Sequence, residues 1–289
     1  MKKNIMKHLT RTLALALALI LTVGAFPTAK AAGNEDWMNN VLTTNPWEAL
    51  NIKPEKIGSV TFLDDTSSAP RRGCWYMGSG ASRSVLGWVQ WNGGYADVYF
   101  AADGGVNAEK CANGLFKGCE NLVEINFNGA FHTDHCTSMK EMFRDCKSLK
   151  YLDVTDFNTS NVTSMYAMFS TCTQLKALDV SGFDTSKVES MYCMFSTCQK
   201  LEELDLSSFN TANVTNMGYM FSACRKLEEI DVSGFNTAKV SNMEGMFRWC
   251  DVIDDLELNS WNISRVRSYD NFMNPGMHIN GRPWIEFFE

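Results

Sequence analysis

Ten cysteines, a close pair of histidines and several files of carboxylates are the side chains of this sequence that could do chemistry. The densest group is His132-Thr133-Asp134-His135-Cys136. Two histidines beside an acid and a thiol are ligand types that zinc takes. Aligned on a repeat of 26 residues, however, His132 and His135 fall with Asn158 and Asn161 at loop positions, and Cys136 falls with inward Val162. Ligands that diverge do not close a tetrahedron, so neither a metal nor another cofactor is expected. No histidine falls in a Ser/His/Asp or Cys/His pattern, and no glycine loop is suited to phosphate. Carboxylates are paired often, but in repeating files, and repetition argues for structure over one acid/base pair. The chain reads as a non-enzyme.

Six cysteines, Cys119, Cys146, Cys172, Cys198, Cys224 and Cys250, stand in one file. An exported, cysteine-rich chain ordinarily suggests disulfides. Side chains that enter a core in parallel do not converge as a disulfide requires, so these are expected to be free, buried and packed as small apolar groups. Cys136 is expected in the core as well. Cys74, Cys111 and Cys193 lie out of register; a Cys74–Cys111 bridge is left open, and Cys193 reads as an exposed thiol.

The carboxylates give the candidate binding residues. Asp153, Asp179, Asp205, Asp231 and Glu257 recur between two apolar positions, and Thr155, Ser181, Ser207, Ser233 and Asn259 follow two residues later. Glu203, Glu229 and Asp255 add acid alongside. On parallel strands ~4.8 Å apart, neighbouring carboxylates repel by roughly 1 kcal/mol even in water. Hydrogen bonds from nearby hydroxyls and turn amides offer one compensation; an acidic face for a basic segment or cation is the functional alternative.

What must position these files is a repeat. Residues 165–183, 191–209 and 217–235 read MYAMFSTCTQLKALDVSGF, MYCMFSTCQKLEELDLSSF and MGYMFSACRKLEEIDVSGF, a period of 26. A unit this short cannot bury its apolar face alone and must stack on its neighbours. Leu178-x-Val180 predicts a strand with both residues on one face. Val162, Met165, Met168, Phe169 and Cys172, in steps of three and four, predict a helical stripe, with Thr159 and Ser160 as N-caps. The expected fold is α/β, a right-handed leucine-rich-repeat-like solenoid with one strand and one helix per 26-residue repeat. The expected organisation is a signal peptide over 1–32, a β-rich N-terminal capping region over 33–115, repeats over 116–273 and a C-terminal cap over 274–289. Within the N-terminal cap, VLGWVQW and YADVYF flank Asn92-Gly93-Gly94 and predict a hairpin.

The run F-(N/D)-T-x-x-V-x-x-M-x-x-M-F-x-x-C-x-x-L-x-x-(L/I)-D-(V/L)-S, at Phe183–Ser207 and again at Phe209–Ser233, resembles the BspA-like leucine-rich repeat proteins, also described as a repeat of mycoplasma lipoproteins. The resemblance covers roughly residues 116–273. It implies a bacterial surface or secreted protein, in some members an adhesin for host matrix proteins or other bacteria.

Charge narrows the partners. The chain carries a formal charge of −7. Without the five basic residues of segment 1–31 (Lys2, Lys3, Lys7, Arg11, Lys30), 21 basic residues face 33 acidic ones, a balance of −12. Nucleic acid wants a basic stripe, so it is not an expected partner. The basic start, the apolar Leu13–Val23 and Ala29-Lys30-Ala31 read as a bacterial export leader. No wall or lipid anchor is recognisable, so a secreted or surface location without membrane insertion is expected. The expected function is adhesin-like binding of a host matrix or other cell-surface protein or glycan, a basic partner among them, through the concave repeat surface. One alternative is a carbohydrate-binding or enzyme-accessory role for Trp75, Trp88, Trp91 and Tyr99 as a sugar-stacking platform. Another is a self-associating structural component of the surface.

Overall fold

The computed structural model describes residues 41–43, 45–77, 84–228 and 230–289. The expected leader, residues 1–32, lies outside them.

The N-terminal part is built on a five-stranded sheet in the order β2-β3-β4-β1-β6. Its members are β1 (Ile57–Leu63), β2 (Cys74–Tyr76), β3 (Leu86–Asn92), β4 (Tyr95–Ala101) and β6 (Glu124–Asn126), with the short β5 (Val106–Asn107) between β4 and β6 in sequence. β3 and β4 form the hairpin, closing with Asn92 opposite Tyr95. Gly93 and Gly94 both take positive φ, 56° and 93°, which a two-residue turn of this hand demands of both central residues. β1 runs parallel to β4 on one side and to β6 on the other, and β5 pairs in parallel with β7 (Phe131–His132). Val60, Phe62, Val98 and Phe100 bury one face of the sheet against Phe116 and Phe131 of the first repeat.

Beyond β7 the expectation of a strand and a helix in every repeat fails. Among the described residues the one α-helix is α1 (Pro46–Ala49), which precedes the repeats. Among the described residues the multi-residue strands lie towards the two ends, where the C-terminal sheet comprises β8 (Asp255–Leu256), β9 (His278–Ile279) and β10 (Arg282–Pro283). The leucine-rich-repeat-like solenoid is therefore not the architecture of this chain.

Backbone hydrogen bonding supplies the reason. In a helix each N–H would reach the carbonyl four residues back. Here Met168, Ser170 and Cys172 donate only three residues back, to Met165, Ala167 and Phe169, at 3.1–3.2 Å. The intervening N–H groups of Met165, Ala167, Phe169 and Thr171 leave the repeat altogether. They donate to the carbonyls of Ser190, Tyr192, Met194 and Ser196 in the next copy, at 2.7–3.1 Å. This alternation needs a left-handed residue every fourth position, supplied by Ala167 (φ 51°) and Thr171 (φ 64°), then Cys193 and Thr197, then Tyr219 and Ala223. For an L-residue that conformation costs roughly 1–2 kcal/mol. The cost is offset because every amide of the segment finds a partner although its repeat has no regular secondary structure. Steps of three and four put the same side chains inward in a run of turns as in a helix.

The strand position fares similarly. Leu178 and Val180 are both buried, but among the described residues the backbone bonds between successive copies there are sparse, such as Glu202 N–H to the Lys176 carbonyl at 3.3 Å. That is too sparse for a strand in the middle copies. The turn runs instead carry a file of single parallel bridges, Cys111–Ser138–Ser164–Ser190–Asn216–Asn242–Ser268.

Side chains complete the lamination. Phe116, Phe143, Phe169, Phe195, Phe221 and Phe247 lie ring on ring, with centroids 5.2–5.8 Å apart and planes within 17°. Thr133, Thr159, Thr185, Thr211 and Thr237 are polar yet at most 1% exposed. Each hydroxyl donates to a carbonyl of the next copy; Thr185 reaches the Asn210 carbonyl at 3.0 Å and receives the Asn210 N–H at 2.8 Å. Without that hydroxyl both groups would be unpaired in a dry interior, at ~1–3 kcal/mol each. Thr159 is thus not a helix cap: it binds Asp184 of the following copy. At the far end Phe287 and Phe288 pack on the core, and Phe288 stacks on Tyr269 at 4.5 Å.

Candidate binding surface

The outward acidic file is held by short local loops. Asp153 Oδ1 accepts the Thr155 N–H at 3.1 Å and its hydroxyl at 2.6 Å. Asp179 accepts the same pair from Ser181 at 2.9 and 2.7 Å, and Asp231 from Ser233 at 2.9 and 2.6 Å. Asp205 accepts the Ser207 N–H at 2.9 Å, and Glu257 accepts from the Asn259 amide at 2.9 Å. An aspartate binding the backbone two residues ahead stabilises its own turn. Asp153, Asp205, Asp231 and Glu257 are exposed, Asp179 is half-exposed, and Thr155, Ser181, Ser207, Ser233 and Glu203 are exposed. Glu229 lies outside the described residues. The compensation for like charge is therefore found within each repeat, and the carboxylates stand one per copy along a single face.

The histidine cluster does not assemble. His132 contacts the Gly104 carbonyl at 3.2 Å, Asp134 accepts from the Asn158 amide at 2.9 Å, and the Cys136 thiol donates to the Glu109 carbonyl at 3.2 Å. Among the described residues no three of His, Cys, Asp and Glu form a metal-like group.

The aromatic platform also divides. Trp88 pairs with Tyr99 across β3 and β4 and stacks on it at 5.2 Å. Trp75 pairs with Gly87, so Trp75 and Trp91 occupy the opposite face of the sheet. Trp88 is 3% exposed, against 45% for Trp75 and 63% for Trp91. The four rings do not make one plane.

The cysteine file enters the core, and its thiols do more than fill space. Cys146, Cys172, Cys198, Cys224 and Cys250 each donate to a backbone carbonyl of the phenylalanine file, at 3.1–3.2 Å. The Phe169 carbonyl, for example, takes both the Cys172 N–H and the Cys198 thiol. Burial pushes the Cys198 and Cys250 thiols up to about 12. All ten cysteines are free; Cys193, half-buried, is pushed up to about 11 by desolvation. Its position is less open than the sequence suggests.

Reasoning from sequence missed two polar files. The threonines of the core were visible as a residue type kept in every copy between apolar positions. The second file alternates asparagine with lysine, at Asn161, Lys187, Asn213 and Lys239.

Residues 110–206 and 177–284 match the family described as Mycoplasma protein of unknown function, DUF285. The matches together span more than half of the sequence, and the chain belongs to that family. Comparisons with curated proteins and with solved structures return no match. No helix among the described residues is long and apolar enough to cross a membrane.

Proposed function

We propose that the chain is a secreted or surface-associated, non-enzymatic binding protein of the adhesin type, close in role to the BspA-like surface proteins. Its acidic file engages a basic segment of a matrix or cell-surface protein. The observation that carries this reading is the row Asp153, Asp179, Asp205, Asp231 and Glu257, exposed or half-exposed, one carboxylate per copy and each oriented by its own turn. Groups held in place before the partner arrives lose little freedom on binding. Complementary charge then sets specificity and encounter rate.

The test is a variant carrying Asp179→Asn, Asp205→Asn and Asp231→Asn. Asparagine keeps the oxygen that accepts the Ser181, Ser207 and Ser233 amides, so the thermal midpoint is expected to stay within a few degrees. Affinity for a surface-captured basic matrix protein, read by biolayer interferometry, is expected to fall at least tenfold, with the difference shrinking as salt screens the charges. Unchanged affinity would remove the acidic file from the binding role.

A further inference from the structure

A second outward file has the opposite charge. Asn161, Lys187, Asn213 and Lys239 occupy one repeat position in four successive copies. Their side chains form two identical rungs. The Asn161 amide N–H₂ donates to the Asp134 carbonyl at 3.2 Å, and its oxygen accepts the Lys187 ammonium at 2.8 Å. The Asn213 amide donates to the Ser186 carbonyl at 2.7 Å, and its oxygen accepts the Lys239 ammonium at 2.7 Å. A carbonyl fixes each amide, and each amide fixes a lysine. An ammonium has three donors, so each keeps two for a ligand. Among the described residues neither lysine forms a close ion pair, although Lys187 is near enough to help hold the Asp184 carboxyl below its ordinary range, after the Ser186 hydrogen bonds. Both lysines are exposed, as are Arg265 and Arg267 in the next copy.

Between the lysines runs a groove of about 470 Å³ lined by Thr163, Lys187, Glu189, Asn213, Thr215 and Lys239. The two cations are two copies apart. At the ~4.8 Å separation of hydrogen-bonded neighbouring backbones, that is roughly 10 Å. Nucleic acid is far denser in charge, at ~1.7 Å per charge along a duplex and ~3.4 Å per strand. Single strands also need aromatic rings for their bases, and this groove has none. Widely spaced cations separated by amide, hydroxyl and carboxylate groups suit a polymer with sparse negative charge and many hydroxyls.

We propose that the Lys187–Lys239 groove binds a linear anionic polysaccharide, with acidic groups of successive repeat units on the two ammoniums and sugar hydroxyls on Asn213, Glu189 and the threonines. This site is separate from the acidic file.

The test uses the purified chain with hyaluronan, which has one carboxylate per disaccharide, in isothermal titration over a range of salt. The wild type is expected to bind, more weakly as salt rises. Lys187→Ala with Lys239→Ala is expected to lower affinity at least tenfold and to reduce the slope of log K against log salt by about one per lysine, with an unchanged thermal midpoint. Asn213→Ala, which keeps both charges but frees Lys239, is expected to lose less. The triple aspartate variant is expected to bind hyaluronan undiminished, which separates this site from the acidic one. The proposal is overturned if the lysine variant binds like wild type, if single-stranded DNA of similar length binds as tightly, or if the lysine substitutions change only the oligomeric state.

Discussion

Raising the pH from 8 to 10 is expected to unfold the chain. Seven of its cysteines are buried: Cys119, Cys136, Cys146, Cys172, Cys198, Cys224 and Cys250. Desolvation raises all seven; Cys136, Cys198 and Cys250 reach about 12 against an ordinary 9.0. In the unfolded chain the same thiols titrate near their ordinary value. Above about pH 9 the unfolded state therefore releases protons that the folded state keeps, and stability falls as pH rises. The stabilisation is complete below about 9 and is progressively lost up to about 12. One pH unit corresponds to ~1.4 kcal/mol per thiol, so at pH 10 the seven together remove on the order of 10 kcal/mol, comparable to a whole folding free energy. The informative window is pH 8.5–9.5, around the ordinary thiol value. The urea midpoint, followed by tryptophan fluorescence at pH 7.5, 8.5, 9 and 9.5, should drop steeply. A flat midpoint would mean that the thiols are wet.

Phe195→Ala is expected to be the most damaging single substitution in the repeats. Phe195 is fully buried and stacks on Phe169 at 5.7 Å and on Phe221 at 5.8 Å. Truncating a buried phenylalanine costs ~3–5 kcal/mol through lost transfer energy and the cavity left behind. Each lost ring pair adds ~0.5–1.5 kcal/mol. The neighbours cannot collapse into the gap, because copy-to-copy hydrogen bonds on either side hold the spacing: Phe195 N–H to the Met220 carbonyl and Phe169 N–H to the Met194 carbonyl, both 2.9 Å. Phe195→Leu keeps most of the volume and should lose less than half as much. Chemical denaturation of both variants gives the comparison; equal loss would indicate that the rings contribute area and no stacking.

Several of these features were legible in the sequence. The period, the inward files of Met, Phe, Cys and Leu, and the β3–β4 hairpin follow from apolar spacing and from the glycines after Asn92. The i, i+2 pairing of Asp with Ser or Thr already pointed to local hydrogen bonds on the carboxylates. The expected helix was wrong for a physical reason. Burial constrains which side chains point inward, and Met165, Met168, Phe169 and Cys172 satisfy that constraint equally in a helix or in successive turns. What decides between them is the backbone, through left-handed residues that are alanine, threonine, cysteine and tyrosine in the middle copies. Only where glycine takes those positions, at Gly114, Gly118 and Gly245, did the sequence carry a visible sign. The lysine–asparagine rungs escaped notice because they alternate, so their true repeat is two copies long.

The direct test of copy-on-copy lamination is scalar coupling through hydrogen bonds, measured by NMR on labelled protein. Lamination predicts that the Phe169 amide nitrogen couples to the carbonyl carbon of Met194, and Thr171 to Ser196, each reaching into the next copy. Coupling of Phe169 to Met165, four residues back, would restore a helix to each repeat and contradict the account.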